Sequence, residues 1–139
     1  MKVALIIFWI FCCAILKGQD TTDVAQLKTM KYLEYANRVN CDSTSGSNLE
    51  HRICLNLEFQ RIDSIMNLRL VSVLKSIEND SIKTEVIKFH EIWVKNRRFQ
   101  SKFISNGMNG HMLGIYYLDC MVTTTNRRIE ELEYLLRNE

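Results

Sequence analysis

Three groups of residues in this chain have side chains and spacing that could do chemistry. His90-Glu91 begins like the helix of a zinc protease, in which two histidines four residues apart hold the metal and the glutamate is the base. The residue four after His90 is Val94, so the second ligand is missing and that motif is absent. His51 and Cys54 lie one helical turn apart and are both metal-ligand types. Two ligands without a third or fourth make no zinc site, and packing plus a disulfide explains them better. The third group is basic. Arg97 follows Trp93 by one turn, and Arg128 stands one turn before Leu132 and three residues after Thr125. Both arginines therefore adjoin apolar stripes.

A guanidinium in such a place needs hydrogen-bond partners, because an uncompensated buried charge is costly. Asp63 and Asn67, four residues apart, are the candidate acceptors. We expect a polar network that locks helix register, with a partner-binding site on the same residues as the competing use. No nucleophile elbow, phosphate-cradling glycine loop or marked carboxylate pair occurs, so the sequence points away from an enzyme and implies no metal and no cofactor. His111, in a glycine-rich loop, reads as a solvated residue.

The elements that must position these side chains are helices. After the loop "CDSTSGSN", Ser47 and Glu50 match a capping box, and no Gly or Pro interrupts the chain from there to about Glu78. Leu49, Ile53 and Leu57 form one stripe and Ile62, Met66, Leu70, Val73 and Ile77 another, rotated around the axis. Such a helix, apolar on two sides, belongs at the centre of a bundle. Asn79-Asp80 makes a turn with Asp80 as the expected N-cap. The next helix carries Ile82, Val86, Phe89 and Trp93, and "SNGMNGH" closes it. The last helix repeats Leu118, Val122, Thr125, Ile129, Leu132 and Leu136. The predicted fold is all-α: an antiparallel bundle of three main helices at about 48–78, 80–105 and 111–137, with a short N-terminal helix at about 22–37. Short connections make the second and third helices neighbours, and likewise the third and fourth.

The 139-residue chain is one domain's worth, with 47% hydrophobic and 24% charged residues, an ordinary globular balance. Residues 1–19, "MKVALIIFWIFCCAILKGQ", have the pattern of a secretory signal peptide. The apolar run from Val3 to Leu16 reaches about 21 Å as a helix, short of the ~30 Å hydrocarbon core, so no permanent membrane anchor is expected. Residues 20–38 form a partly helical N-terminal segment, and 39–139 the helical domain. Removal of 1–19 takes Lys2 and Lys17 and no acids, which leaves 16 basic and 16 acidic residues. With no net charge and no basic patch interleaved with aromatics, nucleic acid is excluded as a partner. Cys41, Cys54 and Cys120 remain, an odd count that suggests one bridge and one leftover thiol in an exported protein.

The runs "NC" at 40–41, "EHRIC" at 50–54, "DSIMN" at 63–67, "FHEIWVKNR" at 89–97, "YLDC" at 117–120 and "TTNRRIEEL" at 124–132 follow one order and spacing. In this the chain resembles the lysozyme inhibitor LprI-like N-terminal domain family, small exported helical domains of bacteria, over roughly residues 37–136. Cys41, Cys54 and Cys120 fall on family cysteines. Asp63 and Asn67 match its Asp-x-x-Leu-Asn element, Trp93 and Arg97 its Trp-x-x-x-Arg, and Thr125, Arg128 and Leu132 its Thr-x-x-Arg-x-x-x-Leu. His90 stands where the family usually has glutamine, and Ser101 where it usually has a cysteine.

The family's usual pairing implies a Cys41–Cys54 disulfide and leaves Cys120 as an unpaired thiol. On the residues alone, a bridge from Cys41 or Cys54 to Cys120 stays open. The resemblance further implies a secreted or periplasmic binding module that inhibits lysozyme by protein–protein binding, its partner being lysozyme or another envelope protein. The competing expectation is a structural or interaction domain of the envelope with no lysozyme activity, since a shared fold does not fix function.

Overall fold

The computed structural model describes residues 21–43 and 46–138, and the expected signal peptide lies outside them. Helix α1 spans Thr22–Lys28, a 3-10 helix Lys31–Arg38, α2 Asn48–Ser76, α3 Asp80–Ile104 and α4 Gly110–Arg137. No strand occurs among the described residues, and the chain is an all-α bundle. None of the described helices is long and apolar enough to cross a membrane.

Local chemistry sets the boundaries. The hydroxyl of Ser47 accepts the Glu50 N–H at 3.2 Å and starts α2. At its other end Ile77 is extended, so the helix stops two residues before the expected position. The cap of α3 is Asn79, not Asp80: its Oδ1 accepts the N–H groups of Ser81 and Ile82 at 2.8 and 3.2 Å. Asp80 becomes the first helical residue, where its charge favours the positive end of the helix dipole. Gly107, at φ +83°, supplies the left-handed conformation that turns the chain after α3.

The expected single N-terminal helix is two pieces. The Thr29 hydroxyl donates to the Gln26 carbonyl at 2.8 Å and Met30 is extended. That hydroxyl takes a carbonyl the next helical turn would use, so α1 ends and a 3-10 helix follows.

The buried face of α2 is one continuous stripe, Ile53, Asn56, Phe59, Ile62, Asp63, Met66, Asn67, Leu70 and Val73. The second expected stripe supplies Ile62, Met66, Leu70 and Val73 to it, but of the first only Ile53 is buried, Leu49 being half-buried and Leu57 exposed. Val24, Leu27, Phe59, Leu118 and Met121 form one apolar cluster. Met66, Leu70, Val73 and Leu132 form a second, and Asp63 lies between the two along α2.

Helix α3 is rotated from the expected register. Its buried residues are His90, Val94, Arg97 and Ser101, whereas Ile82 and Phe89 are more than half exposed. The shift from Phe89 and Trp93 to His90 and Val94 is one residue, about 100° around the axis. Helix α4 packs along both α2 and α3. The backbones of α2 and α3 approach each other less than each approaches α4. The two helices meet through side chains, Arg97 on Asp63 and Val86 and Trp93 against the second apolar cluster.

Cys41 and Cys54 are joined by a disulfide with a Cα–Cα distance of 5.5 Å, tying the preceding loop to the start of α2. A loop of this length contributes on the order of 3 kcal/mol in the chain-entropy account. Cys120 is free and buried.

Candidate functional site

Arg97 is fully buried and is the hub of the polar layer. One terminal nitrogen donates to Asp63 Oδ1 at 2.7 Å and to Thr125 Oγ1 at 2.9 Å. The other donates to Asp23 Oδ2 at 2.9 Å. Arg98 Nε donates to Asp23 Oδ1 at 2.8 Å. Two carboxylates thus face two guanidiniums, which meets the requirement that a buried charge be compensated. The Arg97 guanidinium carbon also lies 5.0 and 4.9 Å from the ring centroids of Phe59 and Trp93, so its planar faces meet aromatic faces.

Helix geometry delivers each partner. Thr125 is held by its own hydroxyl, which donates to the Met121 carbonyl at 2.7 Å. Asn67 does not accept from either arginine; its Nδ2 donates to Asp63 Oδ2 at 3.2 Å and to the Asp63 carbonyl at 3.0 Å. It steadies the carboxylate that Arg97 uses. Ser101, fully buried, donates to the Arg97 carbonyl at 2.9 Å.

Arg128 stands apart from this layer. It is buried, its guanidinium carbon 5.0 Å from the Phe89 centroid and 5.8 Å from that of Trp93, and it pairs with Glu131 at 2.9 Å. Trp93 is half-buried and stacks with buried His90, ring centroids 5.6 Å apart. Trp93 therefore faces both Arg97 and Arg128 and links the two arginines.

Asp23, the second carboxylate of Arg97, has no sequence signal. It sits 74 residues from Arg97 and outside every motif. Phe59 likewise lacks a signal, because it falls between the two stripes read from hydrophobicity. The Cys54 sulfur is committed to the disulfide and is not available beside His51. No group of three or more His, Cys, Asp or Glu residues is placed to hold a metal among the described residues. His111 is exposed in the first turn of α4.

The outer face of α3 carries large apolar side chains that no other described residue covers. Ile92, Phe99 and Phe103 are 62%, 65% and 70% exposed, and the two phenylalanine rings stack with centroids 6.2 Å apart. Near the end of the same helix, Arg52 of α2 lies 4.2 Å from the ring centroid of Tyr32 and occupies the space a side chain at Gly114 would take. Gly114→Ala should move the Arg52 guanidinium aside. Better helix propensity and the lost cation–π contact oppose each other, each about 1 kcal/mol. Denaturant unfolding should therefore place this variant within about 1 kcal/mol of the parent.

Compared with known proteins, the chain matches the sequence profile of a family described as Lysozyme inhibitor LprI over residues 40–132. The matched stretch contains α2, α3 and most of α4, with Asp63, Arg97 and Thr125, but not Asp23. No curated protein and no solved structure matches the chain.

Proposed function

The chain belongs to the LprI lysozyme-inhibitor family, and from that premise we propose that it is an exported binding module that inhibits lysozyme by occupying it, without catalysis. The observation that carries this reading is the extent of the match, which runs through the three long helices and the Arg97 layer that holds them. The signal-like residues 1–19 support export to the periplasm or beyond.

The contact surface we assign is the outer face of α3. Contiguous exposed apolar side chains mark binding surfaces more often than chance, and aromatic anchors carry most of the energy of protein interfaces. Phe99 and Phe103, stacked on consecutive turns, are such a pair. The Arg97 layer acts behind them as the rigid support of the same helix. In this role Asp63, Asn67, Thr125 and Arg128 position the binding helix and do not touch the partner.

Titration of the purified protein into lysozyme assays with several lysozyme types tests the reading. Inhibition should appear, and Phe99→Ser with Phe103→Ser should weaken it by about tenfold or more without changing the circular dichroism spectrum. If high micromolar protein inhibits no lysozyme type, the chain is a structural or interaction domain of the envelope instead. If inhibition persists undiminished in the double variant, the surface lies elsewhere.

A further inference from the structure

A cleft of about 910 Å³ opens where α1 and the 3-10 helix meet the start of α2, the end of α3 and the first turns of α4. Its lining is apolar at Leu27, Met30, Leu113 and Leu118 and cationic at Arg52, Arg98 and Lys102. The volume is that of a small-molecule or peptide site.

The charge in this cleft is unbalanced. Among the described residues Asp23 is the one carboxylate in its lining, and its two oxygens are taken by Arg97 and Arg98. No other acid among the described residues lines it to face Arg52 or Lys102. Arg52 is held in place by Tyr32, and its buried Nε has no hydrogen-bond partner among the described residues. Gly114 leaves the room this guanidinium fills. Helix α4 begins at the same wall with Asn109, whose side chain makes no cap hydrogen bond, so the positive end of the helix adds to the field. Tyr117 also lines the cleft. Burial raises its pKa above the ordinary tyrosine value, with Asp23 adding and Arg97 and Arg98 opposing, so the phenol keeps its proton as a donor.

We propose that this cleft recognises a carboxylate carried on an apolar body, as a peptide presents at its C-terminus beside an apolar last residue. Two uncommitted cations with apolar walls suit a single negative charge with a hydrophobic flank. The site is separate from the outer face of α3, and its test contains no lysozyme.

N-acetyl-leucyl-phenylalanine as the free acid, the same compound as its amide, and inorganic phosphate are the probes, followed by calorimetry and by amide chemical shifts. The acid should bind saturably, with shifts at Gly114 and Tyr117, and the amide about tenfold more weakly or worse. Lys102→Gln should weaken the acid by about fivefold or more with unchanged melting temperature, Arg52→Gln should weaken it as much, and Gly114→Ala should do the same by displacing Arg52. Lys102 is exposed, so that variant keeps the test decisive even if Arg52→Gln fails to fold. Equal affinity for acid and amide, phosphate as tight as the acid, or no saturable binding up to about 10 mM, a limit worth under ~3 kcal/mol, would each overturn the proposal. The same two residues at the end of an inert carrier protein show whether a protein terminus enters as a free peptide does. Its binding would support the proposal for protein termini, and its exclusion alongside binding of the free acid would support it for short peptides.

Discussion

Arg97→Ala is expected to destabilise the protein by about 3–5 kcal/mol, the cost of breaking a buried ion pair from one side. The substitution takes the Arg97 guanidinium away from Asp63, a carboxylate buried between two apolar clusters that keeps its contact with Asn67. It also removes the filling between the rings of Phe59 and Trp93. Arg97→Lys keeps the charge but not the planar fork that reaches Asp63, Thr125 and Asp23 together, so it should lie between alanine and the parent. Arg128→Ala should cost less, about 2 kcal/mol, because its carboxylate partner Glu131 is largely exposed and the ring contacts carry the rest. Urea unfolding of the three variants gives the order. If Arg97→Ala unfolds within about 0.5 kcal/mol of the parent, as ordinary surface substitutions do, the buried network is not what holds α2, α3 and α4 in register. A double-mutant cycle with Asp63→Ala isolates the pair, and the double variant should lose less than the two single losses together.

Ser101→Cys is expected to form a disulfide with Cys120 and to stabilise the protein by about 3 kcal/mol in the chain-entropy account. The antiparallel pairing that joins Arg97 to Thr125 fixes the level. Ser101 lies four residues beyond Arg97 and Cys120 five before Thr125, so the two positions face each other across α3 and α4. Both are buried, and serine and cysteine differ little in size. For the chain without residues 1–19, thiol titration under denaturing conditions should find four free thiols after full reduction, two of them from the Cys41–Cys54 bridge, and none after air oxidation. The gain in stability should vanish with reductant and in the Cys120→Ser background. Two thiols that persist under oxidising conditions would mean that α3 and α4 do not meet at this level.

Helix type and the two inter-helix turns are legible in the sequence because capping and glycine chemistry act within a few residues. Ser47, Asn79 and Gly107 all stand close to where their residue types put them. Rotation of each helix is less legible. The buried face of α3 carries His90, Arg97 and Ser101, so a reading that counts apolar residues turns the helix toward Phe89 and leaves it one residue out. In α2 the buried face includes Asn56, Asp63 and Asn67, so a stripe drawn through Leu49, Ile53 and Leu57 turns partly to solvent for the same reason. Arg97 and Asp63 could be paired from the sequence because their setting among apolar residues requires compensation. Asp23 could not, since nothing in a short, weakly patterned helix foretells a partner far along the chain. The cleft is illegible for a further reason: its cations come from α2 and α3 and become neighbours only after folding.

The shared use of Asp23 by Arg97 and Arg98 bears on the order in which the molecule is made. Synthesis begins at the N-terminus, so Asp23 emerges well before the arginines that it pairs with. Until α3 is complete, the carboxylate lacks both arginines, and α1 settles on α2 through Phe59 and the Asn56 side chain without them. The polar tie of the first described helix to leave the ribosome is therefore among the last to be fastened, and it marks the completion of the long helices beneath it.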